Sequence, residues 1–183
     1  MRYEVEQKFP IGGFDAIRLR LEALGAQFAP EHEETDVYFN HPSRDFRETD
    51  EALRIRRRGP WNGVTYKGPK VDATTKTRRE LELALPEGEE TVVRWTELLE
   101  TLGFRQVGRV EKRRQRFQVA WKGWDVEGTL DEIDVLGKFV ELELVVEADA
   151  VDGARQAVAA LAGHLGLSRS ERRSYLQLLL ENG

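Results

Sequence analysis

"RYEVEQKF" (residues 2–9) sets Glu4, Glu6 and Lys8 at alternate positions between Tyr3, Val5 and Phe9. Side chains on a strand alternate between its two faces, so the three charges share one face at steps of about 7 Å. A single strand of this kind reads as half-buried with a wet side. The same alternation recurs, however: Arg54 and Arg56 flank Ile55, Glu80 and Glu82 flank Leu81, Glu141 and Glu143 flank Leu142, Lys112 and Arg114 stand two apart, and Lys67 follows Tyr66. Like charges at successive same-face positions repel, and ordinary solvent faces mix in neutral polar residues. Same-sign pairs on strand after strand therefore call for an opposite charge. If the sheet curls so that these faces line an interior, isolated ions there are very costly, and something charged has to fill it.

Length and composition set the frame. With 183 residues, 40% of them apolar, the chain is expected to be one domain over 1–183, large enough to bury a core. It has no cysteine, and His32, His41 and His164 are scattered without zinc-like spacing, so any metal is expected to bind oxygen. The start "MRYEVEQKFP" lacks the apolar core of a secretion signal. No stretch approaches the ~20 apolar residues of a membrane span, so a cytoplasmic protein without a membrane partner is expected. A net charge of −5 speaks against a nucleic-acid partner.

Along the chain, "FDAIRLRLEALGAQ" (14–27) spaces Phe14, Ile17, Leu21 and Leu24 as a helix ending at Gly25. Strands follow at 35–40, 52–59 and 63–68, then a polar, basic loop at 69–79 and a strand at 80–85 stopped by Pro86. A second helix at 91–104 carries Val92, Trp95, Leu98, Leu99 and Leu102 on one face. Three more strands, at 109–121, 125–134 and 138–147, precede helices at 151–165 and 169–181. "LEALGAQF" (21–28) and "LETLGFRQ" (99–106) form a weak internal repeat, too distant and too few for a solenoid. The class is α+β: an antiparallel sheet rolled into a barrel, with helices packed outside.

The charges name the contents of such an interior. Carboxylates, with Asp131 among them, are hard oxygen donors for Mg²⁺ or Mn²⁺, and the lysines and arginines suit a polyphosphate. A metal–triphosphate complex satisfies both. At this point the residues also resemble a family. "EVEQK" is similar to the ExExK signature of the CYTH superfamily, the triphosphate tunnel metalloenzymes. The resemblance continues in order through "DVYF", "DEALRIRR", "TYKGPK", "TRRELEL", "EKRR", "LDEIDVLGKFVELE" and "SYLQLL".

The resemblance implies an eight-stranded antiparallel tunnel that binds a nucleoside or organic triphosphate with divalent metal. It implies that Glu4, Glu6, Asp131, Glu141 and Glu143 form a metal-binding side, and that Lys8, Arg54, Arg56, Lys67, Lys112 and Arg114 hold the triphosphate. Glu80 and Glu82 would assist a second metal or meet the organic end of the substrate, with Arg78 on their face. Within the superfamily, the blocks are most similar to the class IV adenylate cyclase branch, which forms cyclic AMP and pyrophosphate from ATP. Members of that branch further suggest a homodimer. A triphosphatase acting on thiamine triphosphate, inorganic triphosphate or nucleotides is the second reading, and a non-catalytic polyphosphate- or nucleotide-binding module the third. No pattern identifies a general base or a site for the adenine. Lys70, Lys76 and Arg79 read as a solvated basic loop with a lid as the alternative. His41 and Asp134 read as turn residues, and Trp61, Trp121 and Trp124 as rims of the core.

Overall fold

The computed structural model describes residues 2–69 and 78–182. Its strands are β1 (Arg2–Ile11), β2 (Gln27–Phe28), β3 (His32–Asn40), β4 (Ala52–Arg58), β5 (Trp61–Lys67), β6 (Arg78–Leu85), β7 (Arg105–Trp121), β8 (Trp124–Ile133) and β9 (Gly137–Glu147). The helices are α1 (Asp15–Ala23), α2 (Glu89–Thr101), α3 (Val151–His164) and α4 (Tyr175–Asn182). Around the sheet the order is β7-β3-β4-β5-β6-β1-β9-β8, and β8 pairs back onto β7. The result is a closed eight-stranded antiparallel barrel, as the resemblance implies, with β2 a short addition beside β7. Closure removes the free edges that a twisted open sheet would expose.

Most apolar positions between the charges face outward, where the helices cover them; Leu81, between Glu80 and Glu82, is 47% exposed. Val5 and Phe9 of β1 and Leu142 and Leu144 of β9 pack with Leu21 of α1 and Ala157, Val158 and Leu161 of α3. Each fully buried Val or Leu contributes about 1.5–3 kcal/mol, so this layer is the main reason the charged face must turn inward. α2 covers Val37, Ile55 and Leu85 through Leu99, with Val92 and Trp95 partly buried beside it. Leu98 and Leu102, expected on that stripe, are 46% and 61% exposed. The buried edge is the narrower i, i+3, i+7 row. The two copies of the weak repeat do the same local job: in each, a helix stops at a glycine in the left-handed region, Gly25 at φ 78° and Gly103 at φ 91°, and a strand begins.

Several boundaries differ from the sequence reading, and three of them bear on the site. β3 begins at His32 rather than at 35, because the acidic run "HEE" pairs with the basic strands β7 and β4. β6 begins at Arg78, while Lys70 and Lys76 of the expected loop lie outside the described residues. α4 starts only at Tyr175, since the preceding backbone is engaged elsewhere: the Glu171 N–H donates to the Lys8 carbonyl, and the Arg173 carbonyl accepts from Lys8 Nζ at 2.6 Å. α4 then stops one end of the barrel, where Tyr175 and Leu178 meet Tyr38, Val110, Ile133 and Phe139. No described helix is long and apolar enough to cross a membrane.

Candidate active site

The inward positions of eight strands converge on one cavity of about 540 Å³. Of the fourteen residues named from the sequence, all but Asp131 line it; Asp131 lies beneath Arg114, fully buried. The tunnel is stoppered by α4 at the end near Tyr38, Ala52 and Ser174. Arg116, Glu82 and Glu127 mark the other end, exposed to solvent.

The strand register explains how so many charges coexist. Asp36 stands opposite Arg56, Glu34 opposite Lys112, Asp131 opposite Arg114, Glu80 opposite Lys67 and Glu141 opposite Lys8. Opposite-charge cross-strand pairs of this kind hold the basic side chains in place without a ligand. Arg56 makes a bidentate contact to Asp36, with Nε and Nη2 donating at 2.6 and 2.7 Å, and Arg54 Nη1 adds a third bond at 3.3 Å. Burial alone would raise the Asp36 carboxyl, but Arg56, Arg54 and Lys112 overcome it and hold it well below the usual range. Glu34 behaves alike: against burial, Arg114, Lys112 and Arg56 keep it ionised. Arg114 donates to both Asp131 oxygens and, at 2.6 Å, to Glu141. Lys67 reaches both Glu4 oxygens at 2.7 Å and Glu80 at 3.1 Å.

Glu34 and Asp36 are absent from the set read out of the sequence, yet they organise its basic half. A strand started three residues earlier would have shown His32, Glu34, Asp36 and Tyr38 on one face, by the same alternation that exposed Glu4 and Glu6. Arg116 continues the row of Lys112 and Arg114 by one step and Glu127 stands opposite Glu143; both lie inside strands drawn from the sequence, but neither was singled out there. Tyr175 closes the arrangement. Its hydroxyl donates to Asp131 at 2.8 Å, and its ring lies 3.9 Å from Lys8 Nζ in a cation–π contact. His41 serves its own turn, accepting from the Ser43 N–H and packing against Phe46 and Phe104. Asp134 is exposed between β8 and β9, and Trp121 and Trp124 lie against His164 and Gly153 of α3.

One row breaks the rule of opposite partners. Glu143 stands between Glu6 on β1 and Glu127 on β8, three carboxylates in register on neighbouring strands. Burial and then the Glu4 charge, with Glu6 and Glu80 adding, push the Glu143 carboxyl well above the usual range. Glu4 is also raised, by burial first, against the pull of Lys67. Crowded, desolvated carboxylate oxygens suit a hard divalent cation, and a cation would remove the repulsion. Among the described residues no three acidic or histidine side chains are gathered closely enough to hold a metal as they stand. Two of the five named acids, Asp131 and Glu141, are instead turned toward Arg114. Lys112 is depressed to about 8 by burial and by Arg114 and Arg56.

Comparison with known proteins agrees with this geometry. A Methanocaldococcus jannaschii protein named, provisionally, as an adenylate cyclase is 36% identical over 178 residues, which span 96% of this chain and 97% of that protein. Adenylate cyclase CyaB of Aeromonas hydrophila is 30% identical over 97% of this chain and 88% of its own. A solved Pyrococcus horikoshii structure, 42% identical, covers 98% of this chain and 99% of that one with a TM-score of 0.85. The CYTH domain family matches residues 2–175, and with the closed tunnel and its inward charges the chain belongs to the CYTH family.

Proposed function

We propose that the protein is a metal-dependent enzyme that binds a nucleoside triphosphate in its tunnel and converts ATP to cyclic AMP and pyrophosphate. The observation that carries the reading is the convergence of Lys8, Arg54, Arg56, Lys67, Lys112 and Arg114, from four strands, on one cavity. Guanidinium groups held by buried carboxylates are preorganised donors for phosphate oxygens, and preorganised charge is what phosphoryl transfer asks of a protein. The relatives named as adenylate cyclases favour ATP as the substrate.

In cyclisation the ribose 3′-oxygen bonds to the α-phosphorus and the bond to the β-phosphate bridging oxygen breaks, releasing pyrophosphate. The arginines on β4 and β7 would stabilise the charge that gathers on the departing pyrophosphate, and the acids beneath them would fix their direction. Lys8, held by the Arg173 carbonyl and the Tyr175 ring, would mark the stoppered end of the phosphate chain. Mg²⁺ or Mn²⁺, held by carboxylates drawn from Glu4, Glu6, Asp131, Glu141 and Glu143, would neutralise phosphate charge. Glu6 and Glu143 are the pair whose crowding best fits that cation. Glu80 and Glu82, with Arg78, would serve a second cation or the organic end of the substrate.

The test is direct. Purified protein is given Mg²⁺ or Mn²⁺ and, separately, ATP, thiamine triphosphate and inorganic triphosphate, and the products are separated chromatographically. Cyclic AMP with pyrophosphate is the expected result, lost in excess chelator and restored by the metal. Release of inorganic phosphate instead would make the protein a triphosphatase. Binding without turnover would leave a polyphosphate-binding module.

A further inference from the structure

Residues 165–174 cross from α3 to α4 without helix or strand, and they meet the tunnel at Lys8. The Glu171 N–H donates to the Lys8 carbonyl at 2.7 Å, and the Arg173 carbonyl accepts from Lys8 Nζ at 2.6 Å. One short segment thus grips the main chain and the side chain of the same residue. Lys8 is 1% exposed and lines the tunnel, so the direction of its ammonium depends on where the Arg173 carbonyl stands. A carbonyl outside helix and strand has no backbone ladder to fix it.

The Arg173 side chain supplies what a ladder would. Its Nε donates to Glu171 at 2.9 Å and its Nη2 to the second oxygen of that carboxylate, while Nη1 donates at 2.6 Å to Glu181 in the last turn of α4. The Arg173 N–H also donates to Glu171, at 2.8 Å. The bonds from Arg173 outweigh burial and, with Lys8 adding, hold the Glu171 carboxyl at about 2, so it stays ionised at neutral pH. Glu181 stands on a fixed base. α4 opens on a capping box, in which the Ser174 N–H donates to Gln177 Oε1 at 2.7 Å and the Gln177 N–H to Ser174 Oγ at 3.1 Å. Tyr175 and Leu178 then pack the helix onto the barrel. The Arg173 side chain itself is 48% exposed and is not part of the tunnel lining.

We infer that Arg173 is a positioning residue for the triphosphate: its guanidinium, bridging Glu171 and Glu181, fixes the backbone carbonyl that aims the Lys8 ammonium into the tunnel. The inference rests on the tunnel holding the triphosphate. A bridge of this kind differs measurably from a long-range charge effect. If Arg173 acted only as a cation near an anion site, lysine would replace it, and removal of either glutamate would strengthen anion binding. A geometric bridge needs the planar fork, which lysine lacks, and it needs both carboxylates.

Tripolyphosphate affinity is measured by calorimetry with Mg²⁺ present, in the intact protein, in Arg173→Met, Arg173→Lys, Glu171→Ala, Glu181→Ala and Lys8→Met, and in the double variant Lys8→Met/Arg173→Met. Lys8→Met is expected to weaken binding about tenfold or more, the loss of one charge-assisted hydrogen bond. Both Arg173 variants and both glutamate variants are each expected to weaken it about three- to tenfold, a coupling of ordinary size between groups in contact. With Lys8 already replaced, Arg173→Met is expected to change nothing further, a result that a general loosening of the fold would not give. Full affinity in Arg173→Lys, tighter binding in the glutamate variants, or the same fold-loss in the absence of Lys8 overturns the inference and leaves the tunnel reading standing. Failure of the intact protein to bind tripolyphosphate overturns the triphosphate tunnel itself, and this inference with it.

Discussion

Replacing Asp36 by asparagine removes one charge from a buried group of four. Asp36 is 1% exposed and takes two short bonds from Arg56 and one from Arg54, with Lys112 at 3.6 Å. In Asp36→Asn those three cations share only Glu34 and their more distant partners. Breaking a buried pair by removing one member costs on the order of 3–5 kcal/mol, because the surviving charge stays desolvated. For a chain of this size each kcal/mol moves the melting temperature by about 2–4 °C, so a fall of roughly 6–20 °C is expected. Tripolyphosphate supplies the missing negative charge at the same place. Its stabilisation, about 2.7 kcal/mol at a hundredfold excess over Kd for an ordinary ligand, should therefore be larger in the variant than in the parent. Differential scanning fluorimetry of both proteins, with and without tripolyphosphate, measures the two effects together. A variant that melts within 2 °C of the parent, or that gains less from tripolyphosphate than the parent does, would refute the view that β3 stands in for the ligand's charge.

Glu143→Gln is expected to raise the melting temperature of the metal-free protein by a few degrees, because it relieves the row shared with Glu6 and Glu127, while abolishing metal-stimulated turnover; a lower melting temperature would contradict the crowding. Lys112 titrates in the folded protein at about 8, below its ordinary 10.5, so its ammonium is present below pH 8 and is lost as pH rises through that value. Tripolyphosphate affinity should fall over pH 7–9.5, and the step should vanish in Lys112→Met. The unfolded chain keeps that proton to about 10.5, so this group makes the empty protein more stable as pH rises from 8 to 10.5, a trend that pH-dependent denaturation reads. Tyr175→Phe loses the bond to the buried Asp131 and keeps the ring under Lys8; a loss of about 1.5–3 kcal/mol in chemical denaturation is expected, and an unchanged midpoint would refute it.

The barrel was legible because alternation is a two-residue rule that needs no tertiary information. Glu4, Glu6 and Lys8 share a face on any extended strand, and only an enclosed, ion-filled interior suits many such faces. The partner of each charge was harder to see. Glu34 and Asp36 neutralise arginines and lysines on β4 and β7, and the register that joins them is set by pairings distant in sequence. The resemblance put Asp131 and Glu141 on the metal-binding side with Glu4, Glu6 and Glu143, and the fold turns both toward Arg114. The start of α4 was misplaced for a related reason: residues 171–173 use their backbone on Lys8, a contact across the length of the chain. A smaller cavity of about 270 Å³ beside the tunnel was illegible altogether, since its apolar walls come from β4, β7, α4 and the segment after β3, with no shared period.

The pairing of β1 with β9, from Arg2 beside Glu147 to Ile11 beside Lys138, also orders events in time. Strands β3 to β6 and β7 to β9 join as sequential neighbours, so they can zip as soon as they are made. The strand synthesised first has to wait for almost the last. Until then β1 has only its short pairing with β6, at Tyr3 and Glu4, so Glu6 and Lys8 remain hydrated, and long-range closure of this kind is slow. Loss of water from Lys8 is thereby postponed to the moment the ring shuts, when Glu141 and the Arg173 carbonyl come to receive it. Completion of the binding chamber and the slow stage of folding are one event.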